Sequence, residues 1–414
     1  MYFKVHHLVA SLVALIAFVA ASMLPFTKSA EAANVPEIIW AEEVLLVSDA
    51  TNPLLMTGGD AALKGNKQKI AQALTKKLHA ARDAGKLPFT LKEEADTYEY
   101  EGVITDVDEE VPVALIPLAI MSDALHAKYQ VQDKSFYKSI VVGSLYLAIC
   151  RGGSTANNWT MIGGIPLSGY VILGDDLNHL LTTPPSKLDE VNAYVSMMEK
   201  VIDRDLNFDD LKKPLQNLTS KNVPDTYEVM EVNLASKKAP EIFGNQQAKI
   251  QALLGSFYSA KFQEQANGKV IVYPPVSMIG KNTGGDMSKV GNKSAADDVS
   301  DTIFSLTGGK STSGATMTLS MPEPAHKINL NFAGAGWMEL KGKKESSVVK
   351  NIGYKAVLKM QLDSQPEKSA EDVKSVQYII PPSDSIAELE QERLPDIYTE
   401  LLIRLADGLA SGKK

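Results

Sequence analysis

A single cysteine, Cys150, stands in a chain of 414 residues. One thiol cannot close an internal disulfide, so a chain of this size must rely on core packing. Cys150 ends the run SIVVGSLYLAIC from Ser139, which marks it as a buried structural side chain. A lone reactive thiol or an intermolecular bridge is the other reading. Histidines are few as well. Besides His6 and His7 only His79, His126, His179 and His326 occur, none at the short spacing of a zinc site and none in H-E-x-x-H. A dense basic stripe is missing: 42 Lys and Arg face 50 Asp and Glu, for a formal charge of −8. Phosphate contacts need clustered cations, so nucleic acid is excluded as a partner. After Ala32 no apolar run reaches the ~20 residues that span a membrane.

What is there begins with the leader. Lys4, with His6 and His7, makes a basic start, and the uncharged run LVASLVALIAFVAA follows from Leu8 to Ala21. Pro25 breaks any helix, because its ring blocks a backbone hydrogen bond. Ala30-Glu31-Ala32 then offers two small side chains to a signal peptidase. The pattern predicts a secretory signal over 1–32, removed after Ala32. It places the mature chain outside the cytoplasm, in the periplasm or secreted. An uncleaved anchor is the alternative. A lipid anchor would need a cysteine at the cleavage site, and Cys150 is far away.

The remaining length suits two domains, and the apolar fraction of 44% allows a substantial core. Apolar residues three and four apart predict a helix over 66–84, stopped by Gly85, although Lys77 falls on its apolar side. Strands are expected at 43–48, 87–91, 102–105, 139–150 and 159–173, the last bent at Gly163-Gly164. The Pro-interrupted segment 111–130 reads as a buried connection into a short helix. Ser186 and Asp189 form a capping pattern for the next helix. Residues 212–225 carry two prolines and few apolar residues, and read as a linker. It separates a first α/β domain, 33–211, from a second, 226–414. There the expected elements are a strand at 227–235, a helix at 245–265, strands at 269–273, 315–321, 328–340 and 352–362, and a short helix near 295–306. A last helix is capped by Ser385 and broken at Pro395.

The element order recurs. Each half reads strand, helix, glycine, strand, long connection, further strands, Pro-Pro-Ser, helix. Ile70 aligns with Ile250, SFYKSIVVGSLYLAIC from Ser135 with SVVKNIGYKAVLKMQL from Ser347, and Pro184-Pro185-Ser186 with Pro381-Pro382-Ser383. The reading is a duplicated domain of mixed α/β (α+β) class, each copy a mixed sheet with flanking helices. Coincidence is the alternative, since β runs and capped helices are common. The order of EVLLVS, the helix after Asn66, LPFTL, the paired β runs and a final helix resembles the TolB amino-terminal and curli-assembly (CsgG-type) envelope domains, here in tandem. That resemblance implies a binding and assembly module. It rests on element order and carries over no functional residue.

The motifs that suggest chemistry lack their companions. GGKST at Gly308–Thr312 has Phe304 where a phosphate-binding loop needs glycine. SFYK and SVVK fit S-x-x-K, but both run into β patterns, where positions i and i+3 face opposite sides. They read as strand starts with a solvated lysine. His79 lies on the polar face of its helix. The acidic run Asp106–Glu110 lacks the glycine and distal glutamate of an EF-hand loop. Trp159 and Trp337 sit in long β runs, as core or as a contact surface for glycan or protein. No catalytic, cofactor-binding or metal-ligating residue is assigned. The expected function is an exported envelope or periplasmic binding and assembly module with an envelope protein or glycan as partner. A hydrolase acting on cell wall or glycan is the alternative. A subunit assembling through a sheet edge is a third reading.

Overall fold

The structure, a computed structural model, describes residues 36–56, 65–93, 112–131, 134–152, 158–174, 180–218, 225–276, 302–306, 317–340, 349–363, 365–379 and 386–412. Ala30 and Ala32 of the expected leader lie outside them, as do the strand expected at 102–105, His179, Gly308–Thr312, Ser347 and Ser385.

The strands are β1 (Glu37–Trp40), β2 (Leu45–Leu46), β3 (Thr90–Glu93), β4 (Val113–Val131), β5 (Lys134–Gly152), β6 (Asn158–Leu173), β7 (Thr226–Asn233), β8 (Ile271–Tyr273), β9 (Thr302–Leu306), β10 (Met317–Met321), β11 (His326–Glu339), β12 (Val349–Leu362) and β13 (Lys368–Ile379). The four long helices are α1 (Asn66–Asp83), α2 (Lys187–Asp205), α3 (Gln247–Ala266) and α4 (Ile386–Ala410). One sheet has the order β3-β1-β4-β5-β6-β10-β9, with β2 also on β4; the other has β13-β12-β11-β7-β8. The mixed α/β class expected from the sequence is what the chain adopts.

The same five-strand plan occurs twice. β1, α1 and β3 precede β4, and β7, α3 and β8 precede β11. The order β3-β1-β4-β5-β6 matches β8-β7-β11-β12-β13 position by position. β1 runs parallel to β4, and β7 to β11. The following three strands are antiparallel in both cases. A helix, α2 or α4, follows each meander. The second copy differs by an insertion between β8 and β11. It supplies β10, which pairs parallel with β6 and lengthens the first sheet.

Ile38–Lys414 is one compact unit of four layers. α1 and α2 cover one face of the first sheet, with Ile70, Leu74, Val191 and Met198 against Val141, Leu145, Leu147 and Ile149. The opposite face, through Ile140, Val142, Tyr146 and Ala148, packs on α3 and α4, which in turn cover Leu330, Phe332, Tyr354 and Leu358 of the second sheet. β5 is therefore buried on both sides, which explains its near-continuous apolar sequence. Residues 212–216, within the stretch expected as a linker, form a short helix whose Pro214 is buried.

Three expectations are corrected. The segment 111–130 holds no helix; it is β4, a 19-residue strand. Pro117 is tolerated because its missing N–H falls between the stretches paired by β1 and β2. Residues 302–306 are strand β9, not helix; cross-strand pairing with β10 decides a run too short for periodicity to settle. α4 continues through Pro395 to Ala410. Losing one helix bond costs about 3 kcal/mol. Burying Ile397, Leu401 and Leu402, at roughly 1.5–3 kcal/mol per aliphatic side chain, outweighs it.

Candidate functional site

Three places bring chemistry-bearing side chains together. The first lies where α2 crosses β4 and β5. Ser139 and His126 are cross-strand neighbours. Both bond to one carboxylate oxygen: Ser139 Oγ donates to Glu190 Oε1 at 2.7 Å, and His126 Nε2 lies 2.5 Å from the same atom. The imidazole is thus bound to the carboxylate and not placed to take the serine proton, and Ser139 is fully buried. The bond to Glu190 holds His126 above its ordinary value, against the effect of burial. Burial pushes Glu190 up, but the bonds from His126 and Ser139 prevail and leave it lowered. Asp123, nearby on β4, pairs with Lys249 of α3 at 2.7 Å. This grouping clamps helices on both faces of the first sheet.

The second is a buried ion cluster. Lys138, 1% exposed, reaches Asp396 at 3.0 Å and Glu400 at 2.5 Å on α4. Lys374 of β13 holds the other oxygen of Glu400. The lysine expected to be solvated in SFYK is instead a cross-layer tie. Lys350, of SVVK, is exposed on β12.

The third is a cleft of about 700 Å³ between the end of α1 and the segment after α2. α1 ends through backbone bonds from Gly85 to Arg82 and from Lys86 to Ala81, with Gly85 at φ +63°. That left-handed residue turns the chain so that Leu87 and Pro88 fold back beside the helix. Across the cleft, Asn207 Oδ1 accepts from Asp209 N at 3.2 Å and starts the 3-10 turn Phe208–Leu211. Lys77, the flaw in the apolar stripe of α1, spans to α2 and donates to the Asp203 carbonyl and carboxylate at 2.5 and 3.1 Å. Lys212 pairs with Asp209 at 2.9 Å. Lys86 has no ion pair among the described residues. Outside this cleft, beside Lys261 and Glu264, burial, with repulsion from Asp209 and Glu264, pushes Asp210 up to about 6.

The cleft presents three ammonium groups and one carboxylate, with Ala81, Ala84, Leu87, Pro88 and Phe208 among its apolar lining. No thiol, hydroxyl or imidazole is among its described lining residues. Its lining is mixed, apolar side chains standing beside the three ammonium groups. Sequence reasoning missed it because its residues come from two helix ends about 120 positions apart; the misplaced Lys77 was the available signal.

Elsewhere, Cys150 is buried, and burial pushes its thiol up, the condition of an inert structural cysteine. Trp40 is buried and donates to Thr75 Oγ1 at 2.9 Å. Trp159 is partly buried against the core, whereas Trp337 is 46% exposed. His79, expected on a solvated face, is half-buried. His326 stacks on Tyr227 and bonds Asp363 at 2.7 Å. No helix among the described residues is long and apolar enough to cross a membrane. No family model, curated protein or solved structure matches this chain.

Proposed function

We propose that this chain is an exported binding module of the cell envelope, and that the cleft at the end of α1 is where it binds. The leader pattern closing at Ala30 and Ala32 supports export. The cleft supports the binding reading: its size falls in the range of small-ligand sites, and it sets apolar side chains beside a surplus of cations. It suits a ligand with an apolar body and an anionic head, the head beside Lys86, whose charge is not committed to a described carboxylate.

The test uses decanoate and uncharged decanol as probes, titrated by calorimetry into the mature protein. Decanoate binds more tightly than decanol, and Lys86→Glu weakens decanoate about tenfold or more while leaving decanol within about twofold. Equal binding of the two probes, or binding indifferent to Lys86→Glu, overturns the site. Export is tested separately: the protein recovered outside the cytoplasm begins at Ala33, and one beginning at Met1 refutes cleavage.

A further inference from the structure

The second sheet ends in β13, a 12-residue strand with no strand on its outer side among the described residues. Edges of this length are normally blunted by charge, proline or a bulge. β13 contains no proline, and its pairing with β12 is unbroken. Of its three central charges, Asp372 and Lys374 lie on the helix side, where Asp372 pairs with Arg404 at 3.0 Å and Lys374 with Glu400. The open face shows Ser369, Glu371, Val373, Ser375 and Gln377, all exposed, and Glu371 is tied back to Lys355 at 2.8 Å. Val373, a large apolar side chain, is 43% exposed at the middle of the strand. Its N–H donates to the carboxylate of Asp372 at 2.7 Å.

We propose that β13 is the docking edge for a second copy of this chain, joined antiparallel about a two-fold axis at Val373, so that two five-stranded sheets become one of ten. The register follows from the side chains. In a continuous two-fold sheet, opposed residues share a face, so the axis passes through a residue. An axis at Asp372 sets carboxylate against carboxylate, and one at Lys374 sets ammonium against ammonium. An axis at Ala370 opposes Asp372 to Lys368 but overlaps only the first few residues of the strand. The axis at Val373 uses nearly the whole strand. On the helix side it opposes Asp372 to the second copy's Lys374, twice, so that Arg404, Asp372, Lys374 and Glu400 alternate in sign across the join. On the open face it sets Val373 on Val373 and Glu371 against Ser375. The other sheet ends, β3, β8 and β9, are too short to offer a comparable ladder. This proposal is independent of the ligand cleft, which is built on α1 and α2.

Sedimentation equilibrium of the full mature chain tests it, with circular dichroism confirming that each variant is folded. Ser375 and Val373 are exposed, so their replacement leaves the monomer intact. The wild type forms a dimer. Ser375→Lys meets the second copy's Glu371 twice and tightens it by roughly 2- to 30-fold, whereas Ser375→Glu loosens it by a similar factor. Val373→Lys places two ammonium groups on the axis and weakens the dimer about tenfold or more. A wild type that stays monomeric at high concentration overturns the proposal. So does a dimer whose dissociation constant ignores all three substitutions, because its interface then lies elsewhere.

Discussion

Replacing Lys138 by methionine keeps the length of the side chain and removes its charge. Lys138 and Asp396 are 1% and 2% exposed in their side chains, so neither carries a useful share of solvent. Glu400 retains Lys374 after the change. Among the described residues, Asp396 retains only Arg393, at 3.8 Å. A carboxylate is then left in the core without a close partner, which costs about 3–5 kcal/mol. Removing that carboxylate too removes the penalty: Lys138→Met with Asp396→Leu is expected within about 1 kcal/mol of wild type, because a buried ion pair and well-packed apolar groups are near equals in stability. Urea unfolding followed by circular dichroism at neutral pH measures both. A single variant that loses less than about 1 kcal/mol, or a double variant no more stable than the single, refutes the assignment of the cost to stranded Asp396.

Two further outcomes follow from the geometry. The contribution from raised His126 is full below its ordinary 6.5 and is lost as pH rises through the raised value. That from lowered Glu190 is full above its ordinary 4.5 and is lost as pH falls through the lowered value. The pair's contribution to the melting temperature is therefore largest between those two values, and Glu190→Gln removes it on both flanks; an unchanged pH profile in that variant contradicts the pair. Gly164→Ala places a Cβ 2.3 Å from the Leu147 carbonyl oxygen, a backbone atom that cannot swing aside. It costs about 3 kcal/mol or more by thermal unfolding, and a near-neutral result would mean that β5 and β6 separate more easily than their register implies.

How far the sequence reaches depends on which faces an element buries. α1 and α2 pack one stripe each, so residues three and four apart reveal them, and the Ser186 capping box appears as expected. β4 lies under helices on both faces and loses the alternation that would identify it, while two prolines point the other way. β13 escaped notice for the opposite reason, since Asp372 and Lys374 alternate toward a helix that only the fold supplies. The repeated plan is legible because both copies keep the same punctuation, Gly85 and Gly268 after the helix and Pro-Pro-Ser before the last one. Lys138 could not be assigned a partner, since Asp396 and Glu400 lie more than 250 positions downstream. The cleft is assembled from ends of elements and has no local pattern.

α3 gives the two copies a common fate. Its Gln263 side chain reaches Gly164 O in the first sheet at 2.7 Å, while Gln251 reaches Val232 O in the second, also at 2.7 Å. In genetic terms, the second copy is not a cassette. A truncation near residue 225 would strip the cover from Ile140, Val142 and Tyr146, and the reciprocal fragment would leave α3 half-clothed. Whatever history produced the repeat, a gene that now lost either half would keep neither.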